Sequence, residues 1–211
     1  MLSLATFQFL AAGSLLGLSA GIAPGPLLSL VLVETLRHGR TAGLKVAAAP
    51  LITDLPIILL SLFVLQKLAH VHAVLGVIAA AGGLYLAFLG WEALRTRGLP
   101  PPVASAQTKS LHKGIVANVL NPHPWLFWTT VGAPYLLKAF AHDTHAGVLF
   151  VTMFYVFLVG SKAAIVLLAA CGTGGMGQRP YVAAMRLLGA ALLVFAALLL
   201  SEGYTSFFAR T

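Results

Sequence analysis

Long apolar runs separated by short polar connections make up most of this chain. Six of the runs reach about 20 residues, the length at which an α-helix crosses a bilayer. Their approximate bounds are 4–36, 44–66, 71–94, 113–138, 146–170 and 181–201. The pattern predicts an all-α integral membrane protein with six transmembrane helices, in a single domain over residues 1–211.

Proline motifs interrupt the first and the fourth runs. The first run has no ionisable side chain between Met1 and Glu34, but Ala23-Pro24-Gly25-Pro26 breaks it; Asn121-Pro122-His123-Pro124 breaks the fourth. Proline removes a backbone N–H, and the freed groups must find partners in protein or in a water-filled cavity. Each break therefore predicts two helical pieces, with exposed backbone groups suited to a carboxylate, an ammonium or a cation. The alternative is a packing kink, which is common in membrane helices.

A proline-rich linker divides the chain into two halves of three spans each. We place repeat one at about 1–97, the linker at about 98–110 and repeat two at about 111–211. An odd number of spans per half inverts the second half in the membrane, so we predict two inverted three-helix repeats. In each half, the span after the broken one carries one buried charge, Asp54 or Lys162.

Composition and charge agree with a membrane protein. Hydrophobic residues make up 59% of the chain and charged residues 9%, whereas a soluble domain has about 25% charged residues. The net charge of +8 is spread over short connections rather than clustered, so nucleic acid is not predicted as a partner. Most of the Lys and Arg residues follow spans one, three and five, which places both termini outside the cytoplasm by the positive-inside rule.

Counting along the helices puts both proline breaks and both buried charges at one depth. From the basic side of the membrane, Asp54 lies about 15 Å deep and Lys162 about 14 Å deep, with Pro26 and Asn121 within about a turn of them. A charge at a helix centre costs about 2.5 to 3.5 kcal/mol and normally marks a pathway. Asp54 and Lys162 would neutralise each other or a substrate. A structural ion pair, or a lysine reaching to the interface, is the alternative.

Several motifs occur in an order that points to a known family. They are Ala23-Pro24-Gly25-Pro26, Gly39-Arg40-Thr41-Ala42-Gly43-Leu44, Asp54, the Asn118 to Pro122 segment with Phe127-Trp128, and Gly160-Ser161-Lys162. Together they resemble the LysE family of amino-acid exporters over essentially the whole chain. The resemblance implies efflux of amino acids or related small metabolites, driven by the proton-motive force or the membrane potential, in a bacterial plasma (inner) membrane. The chain departs from the family where Leu27 replaces an Asn that is frequent there, and where His123-Pro124 replaces Lys-Ala.

From these observations we predict a transport site at the membrane midplane between the two repeats. Asp54 would attract a substrate ammonium or carry a proton, and Lys162 would receive a carboxylate or reset Asp54. The first broken helix and Asn121 would bind backbone-like polar groups, and His123, a residue type that serves as a proton carrier, would join Asp54 in proton coupling. The full predicted set is Pro24, Gly25, Pro26, Asp54, Asn121, Pro122, His123 and Lys162.

Other functions stay open at this level. A metal-ion exporter needs several acidic or sulfur ligands at depth, whereas the sequence offers one acid there, so no metal site or cofactor is predicted. An intramembrane enzyme needs paired catalytic groups near the basic interface, and no such set is found, so no enzyme is predicted. An assembly subunit would use the buried charges only to hold its helices together. Glycine rows at Gly13-Gly17-Gly21 and Gly76-Gly83-Gly90 fit either packing within the chain or a homodimer.

Overall fold

The computed structural model describes residues 4–64, 71–98, 107–173 and 177–208, and the regular structure in these ranges is entirely helical. A single π-helical turn, Trp128–Gly132, connects α7 to α8. The α-helices are α1 Leu4–Ile22, α2 Pro26–His38, α3 Arg40–Ala47, α4 Ala49–Val64, α5 Val71–Leu94, α6 Gln107–Val119, α7 Pro122–Phe127, α8 Ala133–His142, α9 Thr144–Thr173 and α10 Gln178–Phe208.

Four helical stretches of the described chain are long and apolar enough to cross a membrane. They are Arg40–Leu62, Gly76–Leu94, Thr144–Gly172 and Gln178–Thr205. Helices α1 and α2 give a fifth span if the 60° bend between them is counted within one crossing. The predicted span 113–138 is divided among α6, α7, the π turn and α8, none of which crosses alone. The all-α membrane architecture is confirmed, while six spans in two inverted repeats stay a prediction.

Both proline motifs end one helix and begin the next. Helix α1 ends at Ile22 and α2 begins at Pro26; α6 ends at Val119 and α7 begins at Pro122. Proline fits the first position of a helix, where its missing N–H costs no hydrogen bond. The breaks predicted from sequence therefore lie where the helices of the structure are interrupted.

The first helix of the second half overlaps the end of the linker predicted at about 98–110. Residues 107–110 already belong to α6, and the proline run 100–102 lies outside the described residues. Ser110 is fully buried and donates a hydrogen bond of 2.5 Å to the Glu34 carboxylate. This tertiary contact holds the polar segment in a helix although its composition is that of a loop.

The glycine rows pack helices of the same chain. Helix α1 lies along α9, and α5 lies along α10. A Cβ at Gly17 would collide with the Phe154 carbonyl of α9, and Gly13 and Gly21 face α9 in the same manner. On the other pair, a Cβ at Gly90 would lie 2.9 Å from the Gly189 carbonyl oxygen. Close backbone approach at small residues is the usual basis of helix association in lipid. A homodimer would therefore need a different surface.

We expect Gly17→Ala to destabilise the protein by about 1 to 3 kcal/mol, because the colliding atom belongs to backbone that cannot rotate away. The thermal unfolding midpoint in detergent micelles measures this. Gly160→Ala is the matched control, since Gly160 is also helical but has no heavy atom within 4 Å of its added Cβ. Equal unfolding midpoints for the two variants would contradict the assigned packing of α1 on α9.

Candidate functional site

A cavity of about 450 Å³ lies where the two proline breaks meet. Seven of the eight predicted site residues line it: Pro24, Gly25, Pro26, Asp54, Asn121, His123 and Lys162. The eighth, Pro122, is buried outside the cavity wall as the first residue of α7. The volume lies within the range of about 300 to 1,000 Å³ that is usual for small-molecule sites. Depth counting from sequence thus brought together residues that share one cavity.

Asp54 lies on α4 with only 4% of its surface exposed. Its Oδ1 accepts a hydrogen bond of 2.9 Å from the Asn118 amide and a longer one of 3.4 Å from the Thr53 hydroxyl. Its Oδ2 faces the Trp128 indole N–H at 3.4 Å and the Tyr155 hydroxyl at 3.3 Å. All four donors are neutral, and no ion pair involves Asp54 in the part of the chain that is described. The carboxylate is therefore held in place by neutral donors, with no cation in direct contact.

Sequence reasoning missed the aromatic donors to Asp54. Trp128 begins the π turn, and the hydroxyls of Thr129 and Thr130 donate to the Trp125 and Leu126 carbonyls there. Such π turns are rare in proteins, and those that occur are often found at functional sites. Tyr155 precedes Lys162 by two helical turns on α9, so the two side chains lie on the same face of the helix. This spacing from Lys162 is the sequence signal that predicts Tyr155 as a site residue. No periodicity in the sequence marks the π turn that positions Trp128.

Lys162 completes the end of α1 instead of pairing with Asp54. Its buried ammonium donates to the carbonyl oxygens of Ala20 at 3.0 Å and Gly21 at 3.1 Å. These carbonyls lose their normal partners because residue 24 is a proline and the chain leaves the helix at Gly25. A cation at a helix C-terminus is also favoured by the helix dipole. An ammonium has three donors, and one remains for another acceptor.

The other side of the first break leaves backbone donors free. Helix α2 begins at Pro26 without a side-chain cap, after the extended residue Gly25. Its first backbone bond joins the Ser29 N–H to the Gly25 carbonyl, and the N–H groups of Leu27 and Leu28 find no acceptor among the described residues. Both leucines line the cavity. The uncapped start of a helix is suited to an anion such as a carboxylate.

The second break is satisfied mostly by its own neighbours. The Asn121 side chain caps α7 by accepting from the His123 N–H at 3.2 Å, and the Trp125 indole donates to the Val119 carbonyl at 2.9 Å. The Asn121 amide N–H groups have no partner in the described ranges. The exposed imidazole of His123 stands at the cavity edge. This break offers the cavity a hydrogen-bond donor and a titratable ring, but no fixed charge.

Aromatic rings form the apolar part of the wall. Phe127 stacks on Phe154 with ring centroids 5.3 Å apart, and Trp128 meets Phe154 edge-on at 5.2 Å. Phe195 of α10 and Leu158 of α9 extend this surface. The cavity therefore combines one polar region around the breaks with a larger apolar region.

A second polar cluster lies away from the cavity, where α2 and α5 end and α6 begins. Glu34, which is 1% exposed, accepts from Ser110 and forms an ion pair with Lys113 at 2.9 Å, and its other oxygen lies 3.0 Å from the His38 Nδ1 atom. Next to it, Arg37 pairs with Glu92 at 2.7 Å. We call these residues, Glu34, Arg37, His38, Glu92, Ser110 and Lys113, the Glu34 cluster. It ties the first half of the chain to the second.

Comparison with protein families matches this chain over most of its length. The model of the family described as LysE type translocator matches residues 18–203, which include both proline breaks, Asp54 and Lys162. The chain belongs to this family. LysE type translocators are membrane transporters of small molecules rather than enzymes, so the protein is a multi-pass membrane protein of that kind. Searches of curated proteins and of solved structures found no match.

Proposed function

We propose that this LysE type translocator is a secondary transporter that exports amino acids or closely related small metabolites. Its six spans form two inverted repeats, about 1–97 and about 111–211, and the solute binds in the cavity between them. The protein sits in a bacterial plasma membrane with both termini outside the cytoplasm. The observation that carries the proposal is Asp54, a buried carboxylate with neutral donors only, in one cavity with the uncapped start of α2.

A zwitterion matches the two poles of this cavity. Asp54 is the acceptor for an ammonium group, since no cation of the described chain is in direct contact with its carboxylate. A substrate carboxylate fits the free N–H groups of Leu27 and Leu28, together with the remaining donor of Lys162. Asn121 adds an amide donor. Broken helices with such ends are the usual substrate sites of inverted-repeat transporters.

The apolar wall favours amino acids with apolar side chains. Phe127, Trp128 and Phe154 present aromatic surface next to the polar region. No second carboxylate of the described chain lines the cavity to accept a cationic side chain. Burial of apolar surface would add roughly 25 cal/mol per Å² to the binding free energy.

Proton coupling is assigned to Asp54 and His123. In the outward step, a protonated Asp54 is neutral and releases the substrate ammonium; deprotonation restores the acceptor. His123, at the exposed edge of the cavity, is placed to pass protons between water and the interior.

Counterflow in proteoliposomes tests the proposal. We expect exchange of labelled amino acids with apolar side chains, and at least about tenfold less exchange of the matched amine or carboxylic acid, each of which lacks one pole. A proton gradient should change net efflux, whereas counterflow should proceed with equal pH on both sides. Liposomes without protein are the control. If no amino acid exchanges, or if the amine alone exchanges equally well, the proposal fails; exchange of divalent cations would favour a metal-ion exporter instead.

A further inference from the structure

An open cleft of about 780 Å³ lies between the end of α5 and the start of α10, away from the proposed transport cavity. Three exposed arginines line it: Arg97 after α5, and Arg179 and Arg186 on the first turns of α10. The Gln178 side chain donates to the Arg97 carbonyl at 3.3 Å and holds the two segments together. The cleft thus concentrates positive charge from two separate elements.

The described residues offer no carboxylate to these arginines. Among the described side chains, no ion pair involves Arg97, Arg179 or Arg186. The whole chain has five Asp and Glu residues against 13 Lys and Arg. Glu34 and Glu92 are engaged in the Glu34 cluster, and Asp54 lies in the cavity. An anion from outside the chain would therefore meet no competing carboxylate of the described residues in this cleft.

The cleft lies at the depth of lipid headgroups. Helix α10 has 31 residues and is about 46 Å long, which exceeds the hydrocarbon core of about 30 Å. On α5, which packs against α10 through Gly90 and Gly189, the exposed Trp91 carries the Arg95 guanidinium 4.7 Å above its ring. A tryptophan with a neighbouring basic residue is typical of the membrane interface. Arg186 precedes Gly189 by about one turn, next to the lipid-facing Leu187.

We propose that this cleft binds the phosphate group of an anionic phospholipid through Arg97, Arg179 and Arg186. Guanidinium groups match phosphate oxygens in paired hydrogen bonds, and the start of α10 adds the positive end of its dipole. Basic clefts between membrane helices at headgroup level are suited to anionic lipids. The acyl chains would lie along the exposed apolar face of α10, which includes Leu187. This site is independent of which solute the protein transports.

The test compares lipid binding by the purified protein and by two doubly substituted variants. We expect native mass spectrometry to show tighter binding of phosphatidylglycerol than of phosphatidylcholine. The Arg179→Gln and Arg186→Gln pair should weaken phosphatidylglycerol binding more than tenfold, at roughly fivefold per arginine. The control pair, Arg40→Gln and Lys109→Gln, removes the same charge from exposed positions outside the cleft and should change binding less than about threefold.

Three results would overturn the proposal. Equal loss in the control pair would mean that net charge alone attracts the lipid. Equal binding of phosphatidylcholine would show that the headgroup charge is not recognised. If inorganic phosphate alone raised the unfolding temperature as much as phosphatidylglycerol does, the cleft would be assigned to a free anion instead of a lipid.

Discussion

Asp54→Asn is expected to reduce transport by about thirtyfold or more while the protein still folds. Truncating one partner of a buried charge pair costs about 2 to 5 kcal/mol. Here the truncated partner is the Asp54 carboxylate, and the other partner is the substrate ammonium or the proton. The four neutral donors around Asp54 need an acceptor, which the amide oxygen of asparagine partly replaces. Counterflow of an amino acid in proteoliposomes measures the loss.

Asp143→Asn is the matched control for this experiment. Asp143 lies in the exposed turn between α8 and α9, so the same chemical change there should leave the exchange rate within about twofold. Thermal unfolding of both variants without solute shows whether the fold is kept. If Asp54→Asn exchanges amino acids at the parent rate, neither the ammonium nor the proton binds at Asp54.

Lys162→Met is expected to lower the unfolding temperature even when no solute is present. Methionine keeps most of the length and apolar stem of lysine but has no donor for the Ala20 and Gly21 carbonyls. An unpaired buried carbonyl costs about 1 to 3 kcal/mol, so two of them predict a decrease on the order of 5 to 20 °C. Transport should fall with it, because the first break shapes the cavity.

Lys138→Met provides the comparison for Lys162. Lys138 is an exposed lysine of α8 whose ammonium lies 5.9 Å from the Tyr135 ring, and its loss should shift the unfolding temperature by less than about 2 °C. A variant Lys162→Met that unfolds like the parent but fails to transport would contradict the capping role. Lys162 would then act on the solute directly.

The sequence predicted the two breaks and the burial of Asp54 and Lys162 because these depend on local chemistry. Two prolines close together remove backbone donors and favour a break in the helix, and a charge in an apolar run normally faces the protein interior. Counting residues along the helices then places such features at a depth without any knowledge of packing. This explains why seven of the eight residues named from sequence line the same cavity.

The partners of those charges could not be read from the sequence. Lys162 binds backbone carbonyls, and because every residue has one, no residue type in the sequence marks these partners. Asp54 meets Asn118, Trp128 and Tyr155, which come from α6, the π turn and α9. Opposite sign and equal depth left two possibilities open, an ion pair between Asp54 and Lys162 or a substrate between them. Only the packing of five different segments decides which donors reach each group.

The start of α6 illustrates the same limit on a helix boundary. Residues 107–110 have the polar composition of a linker, yet Ser110 is fully buried against Glu34 of α2. No local pattern in the sequence marks Glu34, a lone acid near the end of the first apolar run, as a contact site. Two of its partners, Ser110 and Lys113, lie more than 70 positions later in the chain, a separation that local patterns do not record.

The Glu34 cluster makes any separation of α6 from α2 depend on the hydration of the Glu34 carboxylate. Separating α6 from α2 pulls Lys113 and Ser110 away from a carboxylate that is 1% exposed. A bare carboxylate out of water costs several kcal/mol, so the helices can part only as water enters between them. The barrier to this movement therefore depends on how readily water enters the gap between α2 and α6. Added salt screens hydrated charges, so it should stabilise the separated state more than the closed one.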